Sequence, residues 1–210
     1  MQSSLQAEAC TLSAAPTGRA GAAALAFAGL MFLLYPVLRP WTDESTLDGA
    51  TEAMSSPAWV ASHFFAMLGF IAVGLGLLAL HALVSTRASL IALLTGWVGT
   101  GLVLPYYGAE DFGLHALARS SAPGLLTVID QVRYQPVAIT MFGVGLILLA
   151  VAGVAVALAV RRPAGVVFAI GYALFLPQFL LPAAGRITHG VILAAGCVWL
   201  AATLWRRRPR

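Results

Sequence analysis

Uncharged apolar runs separated by short polar breaks fill most of the chain. Six of them, at 20–38, 58–84, 88–107, 137–160, 164–184 and 187–205, come close to the length of a membrane-crossing helix, for which roughly 20 apolar residues suffice. The second run is long enough to tilt or to project beyond the lipid. The breaks at 85–87, 161–163 and 185–186 are so short that the helices on either side must be antiparallel neighbours. The pattern predicts an all-α, polytopic membrane bundle of six transmembrane helices.

Two connections are longer. The first, 39–57, contains Asp43, Glu44, Asp48 and Glu52 and reads as a solvated loop, with Trp41 as an interfacial anchor. The second, 108–136, looks more ordered. Ser121 followed by Pro123 offers a helix start, and Leu125, Leu126, Ile129 and Val132 recur at helical spacing around Asp130 and Arg133. One or two short amphipathic helices are expected there, lying across the mouth of the bundle as a lid. Residues 1–19 lack the basic start and short apolar core of a secretory signal. They read as a flexible cytoplasmic tail, with 20–205 as the transmembrane domain and 206–210 as a basic cytoplasmic end.

Composition supports the membrane reading. Hydrophobic residues make up 60% and charged residues 10% of the chain, with a mean hydropathy of +0.89, whereas soluble domains carry about 25% charge. Lysine is absent, and all 12 basic residues are arginine. Together with the abundance of Ala, Gly and Leu, this points to a GC-rich bacterial genome and hence to a bacterial cytoplasmic membrane. Cys10 and Cys197 lie in the tail and in the last apolar run, so no disulfide framework is implied. With the N-terminus inside, Arg19, Arg87, Arg161, Arg162, Arg206, Arg207, Arg208 and Arg210 all fall on the cytoplasmic side. Arginine bias therefore predicts an N-in, C-in topology.

This topology gathers the chemically capable side chains at the outer end. The central stretch is 104–115, where Glu110, Asp111, Tyr106, Tyr107 and His115 adjoin the end of the third run. Ionisable groups at a membrane are functional candidates by default. On a regular helix Asp111 and His115 stand at i and i+4, close enough to share a proton. The structural alternative is that both acids simply start a helix. His63, Gln178, Arg186 and His189 belong to the same end, and Asp43 and Glu44 form a second candidate acid pair.

Several chemistries are set aside. The chain has no Walker loop, Rossmann glycine fingerprint, CxxC or HExxH motif. It also lacks the lysine a retinal protein needs, and nothing suggests a nucleic-acid partner. A b-type haem between His63 and His189 is one alternative, since bis-imidazole ligation needs only two such residues. Transport finds little support, because the span centres carry no charged pairs and their glycines suit close helix packing. No metal or cofactor is called for.

Acid–base chemistry on a lipophilic molecule fits best. A carboxylic acid beside lipid is desolvated and keeps its proton toward neutral pH, and aromatic faces can stabilise a cation where water is excluded. In size, span number and acids at span ends, the chain resembles the small membrane-embedded terpene cyclases, both the fungal meroterpenoid type and the actinobacterial type acting on prenylated indoles. The resemblance is architectural, and no residue is carried over. It implies protonation-initiated cyclisation or isomerisation of an isoprenoid. On this sequence Asp111 is the expected acid, Glu110 its like-charged neighbour and His115 its proton partner. Tyr106, Tyr107, His63 and Gln178 would line the substrate, and Arg186 and His189 would hold a polar head group. The competing reading is a non-enzymatic membrane protein, either the haem binder or a structural or transport subunit.

Overall fold

The computed structural model describes residues 2–120 and 123–206, with side chains from Gly18 onward. Helix α1 (Gln2–Leu38) carries the first apolar segment at Gly18–Leu38, and residues 2–17, read from the sequence as a tail, continue its helical backbone. After it come α2 (Leu47–Ser55), α3 (Pro57–Val84) and α4 (Arg87–Gly108). A π-helical turn at Ala109–Gly113 leads into α5 (Leu114–Arg119). The chain continues through α6 (Leu125–Tyr134), α7 (Pro136–Val160), α8 (Pro163–Ala173), a 3-10 turn at Pro177–Leu180 and α9 (Ala183–Trp205).

Local chemistry explains most helix ends. Ser56 caps α3, with Pro57 in the first turn. Thr86 and Ser89 form a reciprocal capping box on α4, and the Gln135 side chain accepts the Ala138 N–H at the start of α7. Each cap satisfies donors that a helix start leaves free. α3 and α7 end on left-handed residues, Ser85 (φ 49°) and Arg161 (φ 52°), which turn the chain back within three residues.

Six helices close a ring. α1 packs on α3, α3 on α4, α4 on α7, α7 on α8, α8 on α9, and α9 back on α1. Glycines set the closest crossings: a Cβ on Gly99 or on Gly145 would come within 2.9 Å of the other's carbonyl, and one on Gly196 would lie 2.7 Å from the Phe168 backbone. The α4–α7 and α8–α9 seams therefore need residues without side chains, the usual basis of tight helix association in lipid. Inside the ring, Phe32, Phe70, Tyr107, Phe168, Tyr172 and Phe175 are almost fully buried.

Five of the helices are long and apolar enough to cross a membrane, and the protein is a multi-pass membrane protein. The fifth expected span differs from its reading. α8 has 11 residues, about 16 Å of helix against a hydrocarbon core of about 30 Å. Pro177 has no N–H to offer the Ala173 carbonyl, and Pro182 stands immediately before α9, so the 164–184 segment is interrupted at these prolines and does not run as one helix. The chain still returns to the end from which α9 starts, with Phe179 packed on Phe142.

The long connections build a cap at that end. Residues 39–57 are not the solvated loop the acids suggested. Thr46 caps α2 by accepting the Gly49 N–H at 3.1 Å, and Ala50, Ala53 and Met54 are buried. They form a second apolar core with Trp59 of α3, Leu114 and Ala118 of α5, and Leu125 and Ile129 of α6. The short helices expected in 108–136 are present as α5 and α6, although α6 starts after Gly124 in a left-handed conformation (φ 78°). Ser121, expected to start it, lies outside the described residues.

Candidate functional site

Four charged side chains join the cap to the bundle. Arg39, just past α1, donates through Nη2 to Glu44 Oε1 at 2.6 Å. Arg133 of α6 donates to Glu44 Oε2 at 2.8 Å, and through Nε and Nη2 to both oxygens of Glu110 at 2.6 and 2.9 Å. The planar guanidinium thus takes Glu110 as a two-pronged partner, an arrangement a lysine could not reproduce. Arg39 also lies against two indoles, 4.8 Å from the Trp59 ring centre and 5.1 Å from Trp41. Trp59 Nε1 donates to the Glu110 carbonyl at 2.8 Å, bonding across 51 residues.

Neighbouring acids separate. Glu44 enters the ion chain, whereas exposed Asp43 turns to Ser45, accepting from its N–H at 3.0 Å and its hydroxyl at 2.6 Å. These two bonds hold the Asp43 carboxyl below its ordinary value. Burial pushes the Glu44 carboxyl up, but Arg39 and Arg133 outweigh it and leave the group below its ordinary value. Burial likewise pulls on Arg133, and its bonds to Glu110 and Glu44 more than offset that pull, raising it above its ordinary value.

Glu110 and Asp111 part in a similar way. Glu110 is 6% exposed and held by Arg133; Asp111 is 0% exposed, and neither of its carboxyl oxygens has a hydrogen-bond partner among the described residues. The π-helical turn provides the reason for the split. Its wider winding, marked by the Leu114 N–H bonding to the Ala109 carbonyl five residues back, rotates the side chains that follow away from a regular 3.6-residue register. The expected Asp111–His115 contact is consequently absent. His115 Nδ1 instead donates to the Met54 carbonyl at 2.7 Å, fastening α5 to α2. Glu110, whose charge is compensated by Arg133, is not the bare like-charged neighbour the sequence suggested.

One turn before Asp111, Tyr107 forms part of a continuous aromatic wall. Its ring centre is 5.9 Å from Tyr35, 5.9 Å from His63 and 5.8 Å from Phe70, and its hydroxyl is buried without a partner. Tyr106 faces elsewhere, stacked on Phe142 at 4.1 Å. His63 lies 4.4 Å from the Trp59 ring centre and donates Nδ1–H to the Trp59 carbonyl at 2.8 Å. Since a carbonyl only accepts, this bond sets the histidine tautomer.

The remaining expected residues fall around the same end but not on one point. Gln178 is buried, its amide nitrogen unpartnered. His189 donates Nε2–H to the Gly171 carbonyl at 2.8 Å and packs on Phe175 at 5.0 Å. Arg186 is fixed by bonds to the Leu181 and Phe179 carbonyls at 3.0 and 2.7 Å. Among the described residues it shares no hydrogen-bond partner with His189. For a haem between His63 and His189 the geometry is unfavourable, because Tyr107, Phe70 and Phe175 form a chain of ring contacts between the two imidazoles. Among the described residues no group of three His, Cys, Asp or Glu side chains could hold a metal.

Arg39 and Arg133, which build the ion chain, have no assigned role in the sequence reading. A signal was present, because an acid carried into an apolar end needs a cation, and Arg133 falls among the apolar positions of α6. Nothing local pointed to Tyr35 or Trp59. Comparison with family models, curated proteins and solved structures finds no match to the chain, so the site is interpreted from its geometry.

Proposed function

We propose that this protein is an integral membrane enzyme of a bacterial cytoplasmic membrane that protonates a lipophilic isoprenoid and guides its cyclisation or isomerisation. The observation carrying the proposal is Asp111, a carboxyl group with no exposure and no hydrogen-bond partner. An unpartnered carboxylate in such a place costs several kcal/mol, so the side chain resides there as the neutral acid. A neutral acid is a proton donor. Protonating an alkene with Asp111 would give a carbocation and an Asp111 carboxylate; loss of a proton from the rearranged cation would restore the acid, so protons and electrons balance over a turnover. The faces of Tyr107, Tyr35 and His63 suit stabilisation of the cation. π-turns recur at functional sites, and the Ala109–Gly113 turn carries both acids; what favours Asp111 over Glu110 is that Glu110 is already paired with Arg133.

The resemblance to small membrane-embedded terpene cyclases belongs to this proposal. So do six crossings, with α8 and the 3-10 segment together making the fifth, and an N-in, C-in orientation. The roles of His115 as proton partner and of His189 as head-group ligand are set aside, given their backbone bonds. The reading of the buried charges as purely structural draws support from the Arg39–Glu44–Arg133–Glu110 chain. That chain explains Glu110 and Glu44 but leaves Asp111 without a structural partner.

Mass spectrometry of apolar extracts from cells with and without the gene tests the chemistry. A gene-dependent product should fall by about 10²–10⁴ in Asp111→Asn, the usual effect of losing a general acid, and persist in Asp43→Asn. Full product from correctly folded Asp111→Asn would remove Asp111 from the mechanism. Orientation is tested separately: cysteine placed at Ser45 should react with an impermeant thiol reagent added outside intact cells, and cysteine at Arg162 should not. Equal labelling would overturn the topology.

A further inference from the structure

Arg186 differs from Arg39 and Arg133, the two arginines of the ion chain at this end of the bundle. Arg39 and Arg133 are paired with carboxylates, whereas Arg186 has no carboxylate within salt-bridge distance among the described residues. Two backbone carbonyls hold its Nε and Nη2 at 3.0 and 2.7 Å. These bonds orient the guanidinium without neutralising it, and they leave the Nη1 side of the fork free for another acceptor. The cation is supported by aromatic rings, with its carbon 5.5 Å from the Trp41 ring centre and 5.6 Å from Phe179.

Arg39 contacts the same indole at 5.1 Å, and its Nε is buried without a hydrogen-bond partner. Glu44 neutralises Arg39 at 2.6 Å, so of the two guanidiniums at this ring it is Arg186 that lacks a carboxylate partner among the described residues. The neighbouring surface is aliphatic. Val37 and Leu38 in the last turn of α1 are exposed, as are Leu181 and Leu180, the latter at 88%. A cation with a free donor side beside exposed aliphatic side chains, in a protein that crosses a membrane, matches the two halves of an amphiphile.

We infer that the Arg186–Trp41 corner binds the phosphodiester head group of an anionic membrane phospholipid, with the acyl chains lying over Val37, Leu38, Leu180 and Leu181. The guanidinium fork suits phosphate oxygens, and the indole marks the depth of the head groups. His189 takes no part, being tied to the Gly171 carbonyl. This site does not depend on the chemistry proposed for Asp111, because occupancy is measured without turnover.

Native mass spectrometry of the full chain, released from neutral detergent, tests the assignment with phosphatidylglycerol and phosphatidylcholine of matched acyl chains. Wild type should retain phosphatidylglycerol preferentially, and Arg186→Gln should reduce that preference by about tenfold, as expected for losing a charge-assisted bond. Arg186→Lys should retain part of it, keeping the charge but not the fork. Leu180→Glu, at a position too exposed to affect folding, should weaken phosphatidylglycerol binding by like-charge repulsion even if Arg186→Gln does not fold. Arg161→Gln, at the opposite end, should leave the preference unchanged. Absence of preference in wild type, or an unchanged preference in both folded Arg186→Gln and Leu180→Glu, would overturn the site. Displacement of the lipid by millimolar inorganic phosphate would overturn the lipid assignment and make free phosphate the occupant.

Discussion

The two ends of the helical bundle are closed in different ways. At the Arg161 end, connections are short and their bonds local: Thr86 and Ser89 cap α4, Ser85 and Arg161 turn the chain in left-handed conformations, and His81 Nδ1 meets Ser89 Oγ at 2.9 Å, eight residues away. At the Glu110 end, the bonds span long stretches of chain. Arg133 reaches Glu44 across 89 residues, His115 reaches Met54 across 61, and Trp59 reaches Glu110 across 51. One end merely reverses the chain direction. The other assembles a largely buried polar region from separate segments, and most of the buried polar groups without a hydrogen-bond partner among the described residues collect there, at Asp111, Tyr107, Gln178 and Arg39, with Tyr172 of α8 the exception.

This contrast can be broken most strongly at Arg133. Arg133→Met removes the cation shared by Glu44 and Glu110 and strands two largely buried carboxylates, a change that costs about 3–5 kcal/mol when a buried pair loses one partner. Thermal unfolding in detergent should show the loss. Hydrogen exchange should accelerate together in residues 44–59 and 125–134 while α7 stays protected. Protection that falls evenly along the chain would mean that the ion chain does not hold the cap as a unit.

A smaller and more local effect is expected at the other end. Ser89→Ala removes the N3 side of the capping box and the His81 contact, costing about 1 kcal/mol on the usual scale for caps. Exchange should increase only around residues 81–90. Loosening of α2 or α6 in this variant would erase the distinction between the ends.

The smallest expected effect is a pH dependence, and it sharpens the comparison because only the Glu110 end should show it. Glu44 is held below its ordinary value by Arg39 and Arg133 against the opposing effect of burial. A depressed folded value means that its contribution is complete above the unfolded value and is lost as pH falls through the folded one. Wild type should therefore lose melting temperature below about pH 4.5, the carboxylate's ordinary value. Glu44→Gln should start lower and fall less over the same range. Parallel melting curves for the two proteins would show that Glu44 does not couple to folding.

The five long apolar helices were legible because each depends on its own composition. An apolar run of sufficient length forms helix in lipid whatever its neighbours do, since every backbone group must be satisfied within the segment. The amphipathic spacing of Leu125, Leu126, Ile129 and Val132 revealed α6 for a similar reason. Helix α2 was missed because the four acids of its loop outweighed Leu47, Ala50, Ala53 and Met54, whose spacing does mark one apolar face. The interrupted fifth span was also readable in part, from Pro177 and Pro182.

What the sequence by itself determined is the bundle of apolar helices and the concentration of polar side chains at one end of it. Tertiary structure decided which acid is paired and which is left alone. That outcome depends on a π-helical turn and on partners up to 89 residues away. A hydrogen bond or ion pair is made or lost over a fraction of an ångström, and only the packed arrangement of α2, α4 and α6 sets distances on that scale. Hydropathy, by contrast, sums over whole segments, which is why it survives being read one residue at a time.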